Sequence, residues 1–257
     1  MDVFFDSYCH LIYIDGTQFS INNTQNVNIW VIKWEKYIEA TGKLLRENYV
    51  LGKKLEFLDV PHFSDWNKRS EILSYLYKNS RPLTYGSREA VNQSVRSIEK
   101  LYTRYRNNPE ISMPNETVYY ILFDEFIGKL EYFKDTESKS TPYSHRLVIS
   151  TICDRGVKKL NGNHIIGVIH THPPEVKEWD GTERINKIIY ERQTDFDEAQ
   201  ENRIHIPMYS IGVAEIDYYS PNGKAKSKNG LCSNDAFKSG QFNLLKHAFI
   251  EYANSFL

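Results

Sequence analysis

Thiols are scarce in this chain: Cys9, Cys153 and Cys232 are the three cysteines among 257 residues. They are far apart, odd in number and form no Cys-x-x-Cys pair, which excludes a disulfide framework and a thiolate zinc knuckle and favours a reducing compartment. A surplus of positive charge is missing too. With 32 Lys and Arg against 33 Asp and Glu, nothing in the balance points to nucleic acid or an acidic membrane surface. No apolar run approaches the ~20 residues of a membrane span, and the opening MDVFFDSYCH is acidic where a secretory signal would be basic. The expected setting is cytoplasmic, with neither membrane nor nucleic acid as partner. What the chain does hold is 40% hydrophobic residues, enough for a sizeable core, and 18 tyrosines, whose apolar rings and polar tips suit a wet cleft or a partner surface.

Periodicity divides the chain in two. Residues 9–21 (CHLIYIDGTQFSI) alternate around Asp15-Gly16, which predicts a hairpin. From Val27 to about Glu47, apolar residues at 27, 30, 31, 34, 37, 38, 44 and 45 follow the helical period, and further helices are predicted from about Asp65 to Lys78 and from Ser87 to Arg106. Residues 1–110 therefore read as a mainly helical region. Pro109 and Pro114 bracket a polar stretch, and beyond it the period becomes strand-like, placing a boundary near 110–115. Strands are expected at 117–123, 128–134, 146–153, 164–170 and 207–218, with helices near 181–191, 195–203 and 235–255.

The run Ile165-Ile166-Gly167-Val168-Ile169-His170-Thr171-His172-Pro173-Pro174 reads as a buried strand stopped by two prolines. Side chains at i and i+2 of a strand face the same way, so His170 and His172 can converge on one ion at its exit. Neutral imidazole is a common zinc ligand, and a catalytic zinc needs three protein ligands with a position left for water. Asp197, in Thr194-Asp195-Phe196-Asp197, supplies the third. Upstream, Asp124-Glu125-Phe126-Ile127-Gly128-Lys129-Leu130 ends an apolar run with a carboxylate suited to general-base work, the role assigned to Glu125, with Asp124 and Glu131 as alternatives.

Glu125-x-x-Gly128-x-Leu130, His170-Thr171-His172-Pro173 and Thr194-x-x-Asp197, in that order, resemble the pattern of the JAB/MPN (JAMM) metalloproteases. The resemblance covers residues 114–257 and implies an α+β fold, a mixed β-sheet flanked by helices with a cytidine-deaminase-like architecture. It implies one zinc ion held by His170, His172 and Asp197, Glu125 as base, and the Thr194 hydroxyl helping to stabilise an oxyanion. The substrate would be a peptide or an isopeptide-linked protein. PMYSIGVAEIDYYSPNGK, with Pro221-Asn222-Gly223 after a strand, resembles the corresponding part of bacterial JAB-like domains linked to toxins. That likeness implies an effector with a delivery or neutralising protein as partner. Two departures stand out: residues 174–193 intervene where the family has about seven, a piece that reads as helical and suits a lid, and threonine replaces serine at 194.

Each residue also has a plainer reading. A His-x-His on a strand is often two structural histidines, and Thr194-x-x-Asp197 alone is an ordinary helix cap. A Glu at a strand end is commonly solvated. His145, His164 and His205 read as surface or structural residues, with His164 on the face of His170 but about 20 Å away on a straight strand. Cys232 has no partner that would make it a nucleophile. The alternative to an enzyme is a non-catalytic MPN-like interaction module.

Overall fold

The computed structural model describes residues 2–9, 11–14, 27–36, 66–108, 115–136, 139–140, 145–146, 152–154, 157–171, 178–179, 184–185, 206–219 and 231–255. The class is α+β. Four strands near the N-terminus, β1 (Asp2–Asp6), β2 (Leu11–Ile14), β3 (Asn28–Ile32) and β4 (Ser80–Pro82), make one sheet in the order β2-β1-β3-β4. The helix expected from Val27 is corrected here, because Asn28–Ile32 pairs with β1 in parallel. Ile29 and Val31 are buried beside exposed Asn28, and this β-branched alternation outweighs the helical spacing of the longer window. β2 is antiparallel to β1, and the turn expected at Asp15-Gly16 lies outside the described residues. Among the described residues, the first third of the chain is thus built on strands as well as helices.

The helices expected next are present as α1 (Trp66–Asn79) and α2 (Glu89–Asn107), separated by β4 and by β5 (Thr84–Tyr85). The second half supplies β6 (Val118–Asp124) and β7 (Lys129–Lys134), then the two-residue partners β8 (Lys139–Ser140) and β9 (His145–Arg146). After β10 (Ile152–Asp154) and β11 (Val157–Leu160) comes β12 (Asn163–Thr171), the strand of the His-x-His motif. Within the segment expected to be a helical lid, β13 (Glu178–Trp179) and β14 (Arg184–Ile185) form an antiparallel ladder instead. The sequence between them carries Asp180-Gly181, a dipeptide favoured in tight hairpins. The long strand expected at 207–218 is two, β15 (Met208–Ile211) and β16 (Glu215–Tyr219), followed by β17 (Cys232–Ser233). The last helix is also two, α3 (Asn234–Ser239) and α4 (Leu244–Asn254), divided at Gly240, whose φ of 89° ends α3 in the left-handed region. The helix expected at 195–203 lies outside the described residues.

The large sheet runs β17-β16-β15-β12-β6-β7-β5, with β11 and β10 attached at the start of β12. β12 is antiparallel to β6 on one edge and parallel to β15 on the other, which makes the sheet mixed. One face carries Tyr119, Ile121, Phe123, Ile169, Tyr209 and Tyr218 and packs on α4 and α2. Gly167 lets α4 come close, because a Cβ there would meet Ile121 Cδ1 at 3.1 Å and Ala248 Cβ at 3.6 Å. This core is shared by the two halves of the chain, drawing Phe5, Ile29 and Val91 together with the strands of the large sheet. The other face carries Val118, Tyr120, Leu122, Ile165 and Val168. Among the described residues, no helix is long and apolar enough to cross a membrane.

Phe249 of α4 joins the two sheets, its ring meeting Phe5 at 5.1 Å and Phe123 at 5.4 Å, both edge-on. Phe249→Ala is expected to cost about 3–5 kcal/mol, read as a lower urea midpoint with an unchanged slope. A loss under about 1 kcal/mol would remove this ring as the joint.

Candidate functional site

The register of β6 against β12 decides which side chains meet. His170 is opposite Val118, and one residue further Thr171 N–H donates to the Thr117 carbonyl at 2.9 Å. Thr117 N–H donates in turn to Thr171 Oγ1 at 2.8 Å. Glu116 and Val118 share a face by alternation, and it is the face of His170. Glu116 and His170 are both buried, at 6% and 7% exposure.

The row extends in both directions across the sheet. On β15, Ser210 is the partner of His170, and on β16, Asp217 is the partner of Ser210. Beyond Val118 on the other side, Asp135 donates its backbone N–H to the Val118 carbonyl. Asp135, Glu116, His170, Ser210 and Asp217 are all buried. They gather at the C-terminal end of β12, while further along the strands this face is apolar. Buried polar groups at that density need partners, and placing them there is a cost that function ordinarily justifies. The charge is felt nearby: burial first, and then Asp135, push the Tyr120 phenol well above its usual range.

Glu125 is elsewhere. It sits in the β6–β7 turn, at the opposite end of β12, where its carboxylate accepts from Lys159 Nζ at 3.2 Å and lies 3.6 Å from His164 Nε2. Six residues at about 3.3 Å each separate His164 from His170, roughly 20 Å along the strand. Burial alone would raise the Glu125 carboxyl, but bonds and charge from His164 and Lys159 outweigh it and hold the group below the usual range. Glu125 is therefore an ion-pair partner, and its expected position beside His170 is corrected. Asp124 and Glu131 belong to the same distant end: Asp124 Oδ1 caps the turn by accepting from Phe126 and Ile127 N–H, and Glu131 pairs with Lys129.

His164 departs from expectation in a second way. A β-bulge between Ile165 and Gly167 adds one residue to β12, so His164 pairs with Phe123 and faces α4, while His170 faces the other side. His172, Thr194 and Asp197 lie outside the described residues. Among the described residues no group of three or more His, Cys, Asp and Glu is set to hold a metal ion. Cys232 is no nucleophile, since burial pushes its thiol to about 12. Comparison of the chain with protein-family models, with curated proteins and with solved structures finds no match.

A signal for Glu116 was present in the sequence. It immediately precedes the apolar run TVYYILF, and pairing that run antiparallel to HIIGVIH brings it to the histidine end. Ser210 and Asp217 carry no such mark, because only the parallel β12–β15 pairing aligns them with His170.

A second buried polar cluster lies on the α4 face. Tyr209 Oη and His247 Nδ1 are 2.8 Å apart, and Tyr218 donates to Glu251. Burial lowers the His247 imidazole from 6.5 to about 4. The unfolded chain then takes up a proton in that interval and the folded one does not, so acidification from pH 6.5 to 4 destabilises the fold. Glu251, raised by burial, acts in the opposite sense. The comparison of wild type with His247→Gln isolates the histidine: the variant should lose up to roughly 3 kcal/mol of the pH-dependent difference over that window. Parallel stability profiles of the two proteins between pH 4 and 6.5 would show that His247 is not buried neutral.

Proposed function

We propose that this chain is a zinc-dependent hydrolase of peptide or isopeptide bonds, with its centre at the C-terminal end of β12. The observation that carries the reading is the shared buried face of His170 and Glu116, with Ser210 and Asp217 beside them, at the exit of a strand whose sequence continues into His172-Pro173. Imidazole and carboxylate are the donor set zinc takes, and residues 172–205 connect β12 to its parallel neighbour β15, with Asp197 in that connection. His170, His172 and Asp197 would hold the ion. The resemblance to JAB/MPN metalloproteases enters here as support from the motif order, with Glu116 replacing Glu125.

A zinc ion so held supplies Lewis acidity and a water made acidic enough to ionise near neutral pH. The chain's own residues do the rest. Glu116, two residues before β6, takes a proton as general base and returns it to the leaving amine. Thr194 donates its hydroxyl to the developing oxyanion. Asp217 and Ser210 fill the strand positions beside His170, where outer-shell groups orient a ligand imidazole. An effector role with a neutralising or delivery protein is compatible with this chemistry.

Elemental analysis of the purified chain should find about one zinc per molecule, and His170→Ala should lose it. Glu116→Gln should keep the metal and lose at least about a hundredfold of turnover on peptide and isopeptide substrates, while Glu125→Gln leaves both unchanged. Absence of zinc from the wild-type protein sinks the metallohydrolase and leaves a non-catalytic interaction module.

A further inference from the structure

A second site is formed on the α4 side of the sheet. A cleft of about 330 Å³ opens between β5, the start of α2, β7 and the α3–α4 junction, lined by Tyr85, Ser87, Arg88, Tyr132, Asn243 and Leu244 among others. That volume is in the range of small-molecule sites. We infer that this cleft binds a small organic anion, a carboxylate or phosphate head on a compact apolar body.

Four observations converge on that ligand. Arg88 donates Nη1 to the Phe237 carbonyl at 3.0 Å, and its guanidinium lies 6.0 Å from the Phe237 ring centre. Among the described residues no carboxylate pairs with it, and none that lines the cleft is acidic. An arginine held by one backbone bond keeps donors in a rigid fork for a bidentate acceptor. Among the described residues the Tyr85 and Tyr132 hydroxyls likewise make no hydrogen bond. Burial raises both phenols, Tyr85 to about 12, so each stays protonated and able to donate.

The third observation is the start of α4. Asn243 caps it by accepting from Lys246 N–H at 3.0 Å, and Leu244 and Leu245, its first residues, line the cleft. Helix N-termini add to the attraction for an anion. The fourth is the wall: two tyrosine rings and two leucines give an apolar surface for the body of the ligand, which a bare ion would leave unused. Arg88 also crowds Gly240, where a Cβ would come within 2.5 Å of Nη2, so the guanidinium is seated against backbone rather than swinging in solvent. The bland alternative is that Arg88 only caps the end of α3. That role uses one of its donors and accounts neither for the open space nor for the two unbonded phenols.

Binding is measured by calorimetry on the full chain with benzoate and with inorganic phosphate, at constant ionic strength set with chloride. One saturable site per chain is expected, with benzoate tighter than phosphate because its ring engages the apolar wall; phosphate binding the tighter would overturn the apolar body of the ligand. Arg88→Gln should weaken binding at least about tenfold, and Tyr132→Phe about threefold or more, each with the thermal midpoint checked. Arg88→Lys, which keeps the charge and loses the fork, should fall between. No saturable binding of either probe at about 20 mM overturns the site, as does binding unchanged in both Arg88→Gln and Tyr132→Phe. His170→Ala should bind the probes normally, because the cleft is on the opposite face of the sheet; this keeps its failure distinct from that of the proposed hydrolase.

Discussion

Thr117 and Thr171 hold each other through three hydrogen bonds: Thr171 N–H to the Thr117 carbonyl, Thr117 N–H to the Thr171 hydroxyl, and that hydroxyl to the Thr117 carbonyl. That clamp fixes the register of β6 on β12, and every side chain at the candidate site takes its face from it. A slip of one residue would send Glu116 and Val118 to the side of α4 and bring Tyr119 to the opposite face. The apolar faces oppose such a slip, because Tyr119, Ile121 and Phe123 would all leave the core they share with Phe249. Hydrophobic burial thus holds a polar site in place without touching it.

The bulge in β12 has a comparable effect at the other end. By adding a residue between Ile165 and Gly167 it turns His164 towards Tyr8 and Phe123, and Glu125 follows it as partner. Lys159 pairs with the carboxylate there, His164 Nε2 lies 3.6 Å from it, and the rings of Tyr8 and Phe123 enclose the imidazole. Such a cluster stitches the small N-terminal sheet to the large one. At the His170 end the polar groups are packed side by side on one row across the sheet. The two histidines of one strand accordingly face opposite sides of the sheet and have different surroundings.

Much of this was legible in the residues. The strand nature of 117–123 and 164–170 and the helices α1 and α2 follow from period and punctuation. What sequence reading missed are long-range facts. Asn28–Ile32 looked helical because Trp30, Val31 and Trp34 fit a 3.6 period, and only pairing with β1 selects the alternating reading. Glu125 looked like the base because it ends an apolar run, but antiparallel pairing makes the end of β6 the neighbour of the beginning of β12. The bulge itself leaves no local trace beyond Gly167, whose lack of a Cβ serves the approach of α4.

The sheet also separates two kinds of polar chemistry. On the side of His170, the buried groups are acceptors and an imidazole, a set suited to a cation. On the side of α4, the cleft at Arg88 presents donors, a set suited to an anion. β7 contributes to both, with Tyr132 opposite Ile121 on the α4 side and Asp135 beyond its end on the other. Alternation makes this possible: a strand that feeds two faces can place a phenol for one ligand and a carboxylate for another only a few residues apart. Because the intervening layer is tightly packed, with Ile121 and Ile169 fully buried between them, neither field reaches the other through water. Each face therefore takes the character of its polar groups from the side chains that alternation gives it.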